Sequence, residues 1–421
     1  MHVKYFLAAL AVTITGGLRT FADDGKHADS CDSLCDGESV NVCDTCCDTD
    51  DYCHYLPDVG RLQFYGWLDG GIVGNTSSPN SRFNGPYNAV DRSNEAMFNQ
   101  GYLVSEMNLP CDGSLGLGGR VDLLYGEDFL LAQSLGWELD PDASRRWNSG
   151  EYYGLAMPQM YVEAGRNDLS LKVGHFYSIV GYEGVMSPSN VFYSKAYSYQ
   201  FAGPFTHWGG QLTWNPNDCW QAQVGLVNGW NALDREEDSV NLIAGVKYTD
   251  PNRNWWSSFA IITGDENNNV SGQRAVSQQT NRTRYSWIVD LPLTCRLDYV
   301  FHQWLGFQNE GAANGGDAYW YGVDQYVYYT INDCWKAGGR FEWFRDEEGT
   351  RVGLNRASNP NKPPFVGNFY SLAAGLNWTP TTNLIIRPEV RWDSFDGTGL
   401  PFDDGTNDDQ LMFAADAIWR F

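Results

Sequence analysis

Leu384-Ile-Ile-Arg-Pro-Glu-Val-Arg-Trp-Asp393 is two sequences interleaved. Leu384, Ile386, Pro388, Val390 and Trp392 fall on one side of an extended chain; Ile385, Arg387, Glu389, Arg391 and Asp393 fall on the other. A period of two is the mark of a strand. The pattern recurs upstream. In Trp220–Leu226, Trp220, Ala222, Val224 and Leu226 oppose Gln221, Gln223 and Gly225. In Trp335–Trp343 the inner set is Lys336, Gly338, Arg340 and Glu342. A soluble β-sandwich alternates in the same way, so the connections have to decide.

The connections come in two kinds that take turns. One kind is short: Leu109-Pro-Cys-Asp-Gly113, Gly165-Arg-Asn-Asp168, Asn215-Pro-Asn-Asp218, Thr249-Asp-Pro-Asn-Arg253, Leu291-Pro-Leu-Thr294, Ile331-Asn-Asp333 and Thr379-Pro-Thr-Thr-Asn383. The other kind is long and polar: 73–96, 127–156, 179–205, 229–238, 265–281, 309–316, 347–367 and 396–408. Seven turns and eight loops join sixteen strands of about ten residues, the alternation expected of an outer-membrane barrel with short periplasmic turns and long external loops. A sandwich would mix loop lengths at both ends. The fold class read from the sequence is therefore all-β, a transmembrane antiparallel up-and-down barrel. Its strands are expected at 61–72, 97–109, 115–126, 157–165, 169–178, 206–215, 219–228, 239–249, 255–264, 282–292, 295–308, 317–330, 334–346, 368–378, 383–395 and 410–421.

Trp214, Trp220, Trp255, Trp335 and Trp378 all stand beside short turns, where an aromatic girdle would meet lipid headgroups. The chain ends on Phe421, with Trp419, Ala417, Ala415, Phe413 and Leu411 behind it on one face. Phe413, Trp419 and Phe421 thus resemble the insertion signal read by the bacterial barrel-assembly machinery.

Composition agrees. The 421 residues include 17 Trp, 24 Tyr, 21 Phe and 45 Gly, which favours strands and turns over helices. With 28 Lys+Arg against 52 Asp+Glu, the net charge of −24 argues against nucleic acid as a partner. Hydrophobic residues make up 43%, enough for a large folded unit. No long apolar run follows residue 20, so membrane-crossing helices are not expected.

Residues 1–22 read as a secretory signal peptide: His2 and Lys4, then an apolar stretch, then Thr20-Phe-Ala22. Residues 23–59 form an acidic segment with Cys31, Cys35, Cys43, Cys46, Cys47 and Cys53. In an exported chain these fit three disulfides; Cys43-x-x-Cys46 also has metal-ligand spacing, and an unstructured tether is a third reading. No lipobox precedes Cys31. The barrel is expected over 60–421. Cys111, Cys219, Cys295 and Cys334 sit at separate short turns, so most are expected to stay unpaired, with no 219–295 or 295–334 bridge.

Val180-Gly-Tyr-Glu-Gly184, Tyr197-Ser-Tyr-Gln-Phe201 and Pro204-Phe-Thr-His-Trp-Gly209 carry a resemblance, joined by the Asn217/Trp220 and Asn332/Trp335 turns and by Phe421. Over residues 60–421 the chain resembles the putative β-barrel porin-2 (OmpL-like) family, in its planctomycete-type form. That resemblance implies a barrel in the bacterial outer membrane and passive transport; it implies no substrate, and it does not cover the cysteine segment.

Motifs for chemistry are sparse. None of His2, His27, His54, His175, His207 and His302 gives the HExxH spacing, and neither a nucleophile elbow nor a P-loop occurs. No cofactor is expected. Gly264–Asn269 and Phe402–Asp409 are acidic but lack the spacing of a Ca²⁺ loop. His175 and His207, flanking the third long loop, leave room for a rim-active enzyme. The strand pattern and the abundant Trp also admit a surface adhesin or a soluble Trp-rich carbohydrate-binding β-protein.

The inner faces carry Arg120, Lys172, Arg284, Arg296, Lys336, Arg340, Arg387 and Arg391, with Asp122, Glu163, Asp290, Asp298, Glu342, Glu389 and Asp393. A Lys or Arg facing mid-bilayer costs about 2–4 kcal/mol, so these side chains need water or each other. They are expected to line a pore. Loop 179–205 stands apart: it holds Tyr182, Phe192, Tyr193, Tyr197, Tyr199 and Phe201, with only Glu183 and Lys195 charged. So aromatic a loop should not face water. Folded inward it would form a constriction, with Tyr182, Glu183, Lys195, Tyr197 and Tyr199 near the wall charges. The sequence thus reads as a porin passing small hydrophilic solutes or ions, in contact with outer-membrane lipid and able to form oligomers.

Overall fold

The computed structural model describes residues 61–421 apart from 111–112, 141–143, 145, 235–238, 271–272 and 354–362; of 267–279 only the backbone is described. The expected signal peptide, the six clustered cysteines and Cys111 lie outside the described residues.

Seventeen strands follow in order: β1 (Leu62–Asn75), β2 (Glu95–Met107), β3 (Gly116–Gly126), β4 (Gly154–Ala156), β5 (Met160–Arg166), β6 (Leu169–Tyr177), β7 (Thr206–Asn217), β8 (Trp220–Val227), β9 (Asn241–Thr249), β10 (Trp256–Val270), β11 (Gln273–Thr294), β12 (Leu297–Gln308), β13 (Ala318–Asn332), β14 (Trp335–Asp346), β15 (Val366–Thr381), β16 (Leu384–Thr398) and β17 (Asp409–Arg420). All pairings are antiparallel, and β17 pairs with β1, so no sheet edge is left open. Gly66 and Phe421 exchange backbone hydrogen bonds of 2.9 and 3.0 Å across this seam. Strands β4 and β5 both pair with β3 and are two pieces of one stave, so the barrel has sixteen staves. The break falls at Met157-Pro158-Gln159, where proline has no N–H to give to a ladder. Asp122 N donates to Gln159 O at 2.9 Å and carries the ladder across it.

The short turns form because side chains cap them. Asn217 Oδ1 accepts the N–H groups of Cys219 and Trp220, Asp250 Oδ1 those of Asn252 and Arg253, and Thr294 Oγ1 those of Arg296 and Leu297. The apolar set lies on the outside: Val162, Leu171, Leu226, Phe259, Leu372, Val390, Phe413 and Trp419 are all exposed. Near the turns Trp220 meets Tyr248 at 4.9 Å, Tyr248 meets Trp255 at 5.1 Å, and Trp335 stacks on Trp378 at 5.5 Å.

Two expectations about loops are corrected. Loop 265–281 is mostly strand, because β10 and β11 continue as a hairpin beyond the barrel body. Loop 73–96 is not an external polar loop throughout: Asn84, Tyr87, Asn88, Val90 and Asp91 are buried. Its polarity is satisfied locally, with Asn75 Nδ2 donating to Asn84 Oδ1 at 3.1 Å and Asn84 Nδ2 to Val90 O at 2.9 Å. Of the four turn cysteines, Cys334 is disulfide-bonded. Cys219 and Cys295 are thiols, and neither bridge 219–295 nor bridge 295–334 forms.

Candidate functional site

Loop 179–205 joins β6 to β7 and packs against the inner wall. Tyr193, Tyr197 and Phe201 are buried in one cluster with Tyr87 from loop 73–96 and Trp304, Phe344 and Phe369 from the wall. Tyr197 lies 5.5 Å from Tyr87 and 5.1 Å from Phe369, ring to ring. Phe192 joins a second cluster with Tyr182, Ile288, Val300 and Tyr326. The aromatic content that marked the loop in the sequence is what this packing consumes.

An irregular loop has backbone groups that no ladder satisfies, and burying them unpaired is costly. The wall charges satisfy them, and the division follows chemistry. Arginines take carbonyls: Arg284 donates to Val180 O at 2.9 Å, Arg340 to Ser194 O at 2.9 Å, Arg387 to Ser187 O at 2.9 Å and Asn190 O at 2.6 Å, and Arg391 to Lys195 O at 2.7 Å. Carboxylates take N–H groups: Glu389 accepts Ser194 N at 3.0 Å, and Glu342 accepts Tyr197 N at 2.8 Å and Ser198 N at 2.6 Å. The last two open the helical turn Tyr197–Phe201, whose first N–H groups have no partner within it.

The loop's own charges are consumed as well. Glu183 pairs with Arg340 at 2.8 Å, accepts the Tyr326 hydroxyl at 3.2 Å and accepts Ala196 N at 2.8 Å. Lys195 is 3% exposed, donates to Gly184 O at 2.9 Å and lies over the Tyr199 ring. Burial lowers its pKa below the ordinary lysine value, opposed by the fields of Asp128 and Glu183.

The inward charges also pair with one another on the wall. Arg391 and Asp393 pair along their own strand at 2.9 Å, as do Arg120 and Asp122 at 2.7 Å; Arg387 pairs across to Asp416. Arg120 also reaches Glu106 at 3.5 Å and Met186 Sδ at 3.6 Å. Glu163 and Lys172 face each other in the β5–β6 register, with Lys172 over Tyr161 and Phe176. Asp290, Asp298 and Lys336 are half-buried near the short-turn end. Arg296 is the exception: it is exposed in the turn before β12, one residue short of the wall. Sequence reasoning missed the loop serines, Ser187, Ser194 and Ser198, which are buried against the wall; Ser187 donates to Asp69 at 2.5 Å and Ser198 to Asp324 at 2.6 Å. Asp324 was legible from the alternation of β13, where it shares the inner face with Tyr326 and Tyr328.

The two histidines flanking the loop are engaged elsewhere. His175 contacts Ser134 Oγ and Met157 O and stacks on Trp208 at 4.6 Å; His207 contacts Gly229 O and Ser178 Oγ. Around the first of these, loop 127–153 lays Trp137 against Trp208, and buried Glu138 accepts Ser134 N and Met157 N at 2.8 Å each. Burial pushes the Glu138 carboxyl up to about 7, although those two N–H groups pull it down. A third histidine makes a row across neighbouring strands: Ser286 Oγ to His302 Nε2 at 2.9 Å, then His302 Nδ1 to Asp324 Oδ2 at 2.7 Å. No group of three or more His, Cys, Asp or Glu side chains suited to a metal occurs among the described residues.

Three cavities adjoin, the second and third of them lined in part by the loop. One of about 520 Å³ at the short-turn rim is lined by Asn215, Asp218, Gln221 and Lys247. The next, about 250 Å³, shares Gln221 and Lys247 with it and adds Tyr182 and Trp256. The third, about 230 Å³, shares Gly181 and Tyr182 with the second and is closed above by Tyr199, Arg284 and His302.

Comparison with known proteins agrees with this geometry. The model of a family described as putative beta-barrel porin-2, OmpL-like, matches residues 61–421. The outer membrane channel DcaP of Acinetobacter baumannii superposes with a TM-score of 0.55 at 12% identity, covering 86% of this chain and 97% of that one. A trimer form of OmpT, an outer membrane protein of Vibrio cholerae, gives 0.58 at 10% identity, over 86% and 100%. An anion-selective porin from Comamonas acidovorans gives 0.57 at 10%, over 86% and 99%. These likenesses establish the fold. No curated protein sequence matches the chain.

Proposed function

The chain belongs to the putative beta-barrel porin-2, OmpL-like family of the bacterial outer membrane, and on that premise we propose that it is a pore for passive diffusion of small hydrophilic solutes or ions. The observation that carries this reading is the row of three adjoining cavities, polar at the short-turn rim, bordered by the inner loop in the second and third, and linked through Gln221, Lys247 and Tyr182. A lumen filled only for stability would have no reason to keep water-sized space along one wall. Loop 179–205 is the constriction, and Phe413, Trp419 and Phe421 present the last strand to the barrel-assembly machinery. Oligomers are part of the same reading; analytical ultracentrifugation in detergent separates monomer from trimer.

Single-channel recording in planar bilayers tests the pore. Stepwise conductance that scales with bulk salt is expected. A protein that inserts, shown by its heat-modifiable gel shift, yet passes no current would refute it.

The Ser286–His302–Asp324 row favours a second, hydrolytic reading. Against it, Ser286 is buried at the wall, and Asp324 also holds Ser198 of the loop. The row is therefore read as a tether. Labelling of Ser286 by a fluorophosphonate would reverse that.

A further inference from the structure

A buried guanidinium normally has a carboxylate partner. Arg340, Arg387 and Arg391 each have one, at Glu183, Asp416 and Asp393. Arg284 is as deeply buried, at 2% exposed, and makes no ion pair among the described residues. Its one hydrogen bond goes to Val180 O, and its Nε has no acceptor. Gly203 lies so close to the guanidinium that a Cβ there would meet Nη1 at 1.8 Å, so the head group is held in place by backbone. The Trp304 ring centroid is 6.0 Å from its Cζ on another side.

Arg284 lines the innermost cavity, about 230 Å³. So does Tyr199, whose buried hydroxyl also has no partner. Two residues that line one small space thus each carry a buried donor without an acceptor. The other titratable groups there are spoken for. Glu183 is paired with Arg340, the Tyr177 hydroxyl meets that of Tyr102, and His302 bridges Ser286 and Asp324. Asp324 acts on Arg284 through its field but makes no hydrogen bond to it. Much of the remaining wall is apolar: Val180, Val185, Met186, Pro204 and Phe205.

We propose that this cavity is a binding site for a small organic carboxylate, with the carboxylate on Arg284 and Tyr199 and the carbon body against Val185, Met186 and Phe205. The inference rests on the pore reading and deepens it: the site stands on the path from the short-turn rim and would make passage selective. An anion supplies what both donors lack, and guanidinium suits a carboxylate's two oxygens. The apolar lining favours a carbon-bearing anion over phosphate, whose every oxygen needs a polar partner.

The test separates binding from conduction. Benzoate and inorganic phosphate are titrated into the full-length detergent-solubilised protein by calorimetry, with the wild type, Arg284→Gln, Tyr199→Phe and the exposed-turn control Arg296→Gln. Benzoate binding is expected for the wild type and the control, with a loss of about tenfold or more in Arg284→Gln and about threefold to tenfold in Tyr199→Phe. Phosphate should bind at least tenfold more weakly. Tyr199→Phe removes one unpartnered oxygen, so it keeps the test decisive should Arg284→Gln fail to fold. Absence of benzoate binding, binding indifferent to Tyr199→Phe, or phosphate binding as tight as benzoate would each overturn the assignment. Conductance in chloride is recorded on the same wild-type protein. Current without benzoate binding sinks the site alone; benzoate binding without current sinks the pore and leaves the site.

Discussion

Removing Arg340 should release the inner loop, and the structure sets the size of the effect. Arg340 is fully enclosed and makes three contacts to the loop: Glu183 at 2.8 Å, Ser194 O at 2.9 Å and Ser194 Oγ at 2.8 Å. Arg340→Ala leaves Glu183 buried beside Tyr326 without its counter-charge. Breaking a buried pair from one side costs about 3–5 kcal/mol. The lower figure alone raises the population of an undocked loop by about 150-fold. The loop carries its own reporter: Lys195 is the only trypsin site between residues 179 and 205, and it is 3% exposed. When opening and closing outpace cleavage, the cutting rate follows the open population. Trypsin added to folded protein should therefore leave Lys195 intact in the wild type. It should cut there about a hundred times faster in Arg340→Ala, with the new N-terminus beginning at Ala196. Equal rates in both proteins, with the barrel intact by heat-modifiability, would show that the aromatic cluster and not the charge contacts holds the loop.

Other consequences are open to direct measurement. Deleting 184–196 should raise single-channel conductance severalfold, since it removes the wall-bound middle of the loop; unchanged conductance would place the narrowest point in loop 73–96. Epitope tags in 265–281 or 347–367 should be accessible on intact cells and tags in 250–253 or 379–382 should not, and the reverse labelling would invert the barrel. For Glu138 the sign runs against alkaline pH. Its folded pKa, about 7, lies above the ordinary 4.5, so the docked loop holds the proton more tightly. Docking of loop 127–153 should be strongest below about 4.5, weaken up to about 7 and then level off. Hydrogen exchange at the Ser134 and Met157 amides follows this, and Glu138→Gln should flatten the profile.

The barrel wall was legible because lipid and water impose a period of two on every stave, and turns such as Asn217-Asp-Cys-Trp220 carry their own capping oxygen. Loop 179–205 stood out because its aromatics could not face water. Loop 73–96 gave no such sign. Asn84, Asn88 and Asp91 look like solvent residues, and only the folded chain shows them bonding one another, β1 and the inner loop; Asn84 accepts Asn75 Nδ2 at 3.1 Å, and Asn88 N donates to Gln200 Oε1 at 2.8 Å. The hairpin over 265–281 hid for the opposite reason, since its sequence has no alternation of apolar and polar residues to announce a strand. Pro158 was a visible breaker, but whether it ended a stave or interrupted one depends on β3 pairing with both pieces. The row Ser286–His302–Asp324 is invisible in sequence because its members meet only through the register of β11, β12 and β13.

The inner charges have more than one reading, and hydrogen-bond geometry distinguishes them. A field across a pore needs charges that face water, and a self-satisfied ladder needs each cation beside an anion of the wall. Arg391–Asp393 and Arg120–Asp122 meet the second condition. Arg340 and Glu342, two apart on the same face of β14, do not: one binds Glu183 and Ser194, the other the N–H groups of Tyr197 and Ser198. Glu389 likewise turns from its arginine neighbours to Ser194 N. These residues complement the polarity of a particular loop backbone, carbonyl by carbonyl and amide by amide. It follows that wall and loop form one unit: a loop of another sequence grafted onto this barrel would strip Arg340 and Glu342 of their loop partners and Arg387 of its loop carbonyls, and each such buried group costs more than a neutral orphan. Arg284 differs from Arg340, Arg387 and Arg391 in having a loop carbonyl but no carboxylate beside it. That is why the space beside it has something to offer an anionic solute.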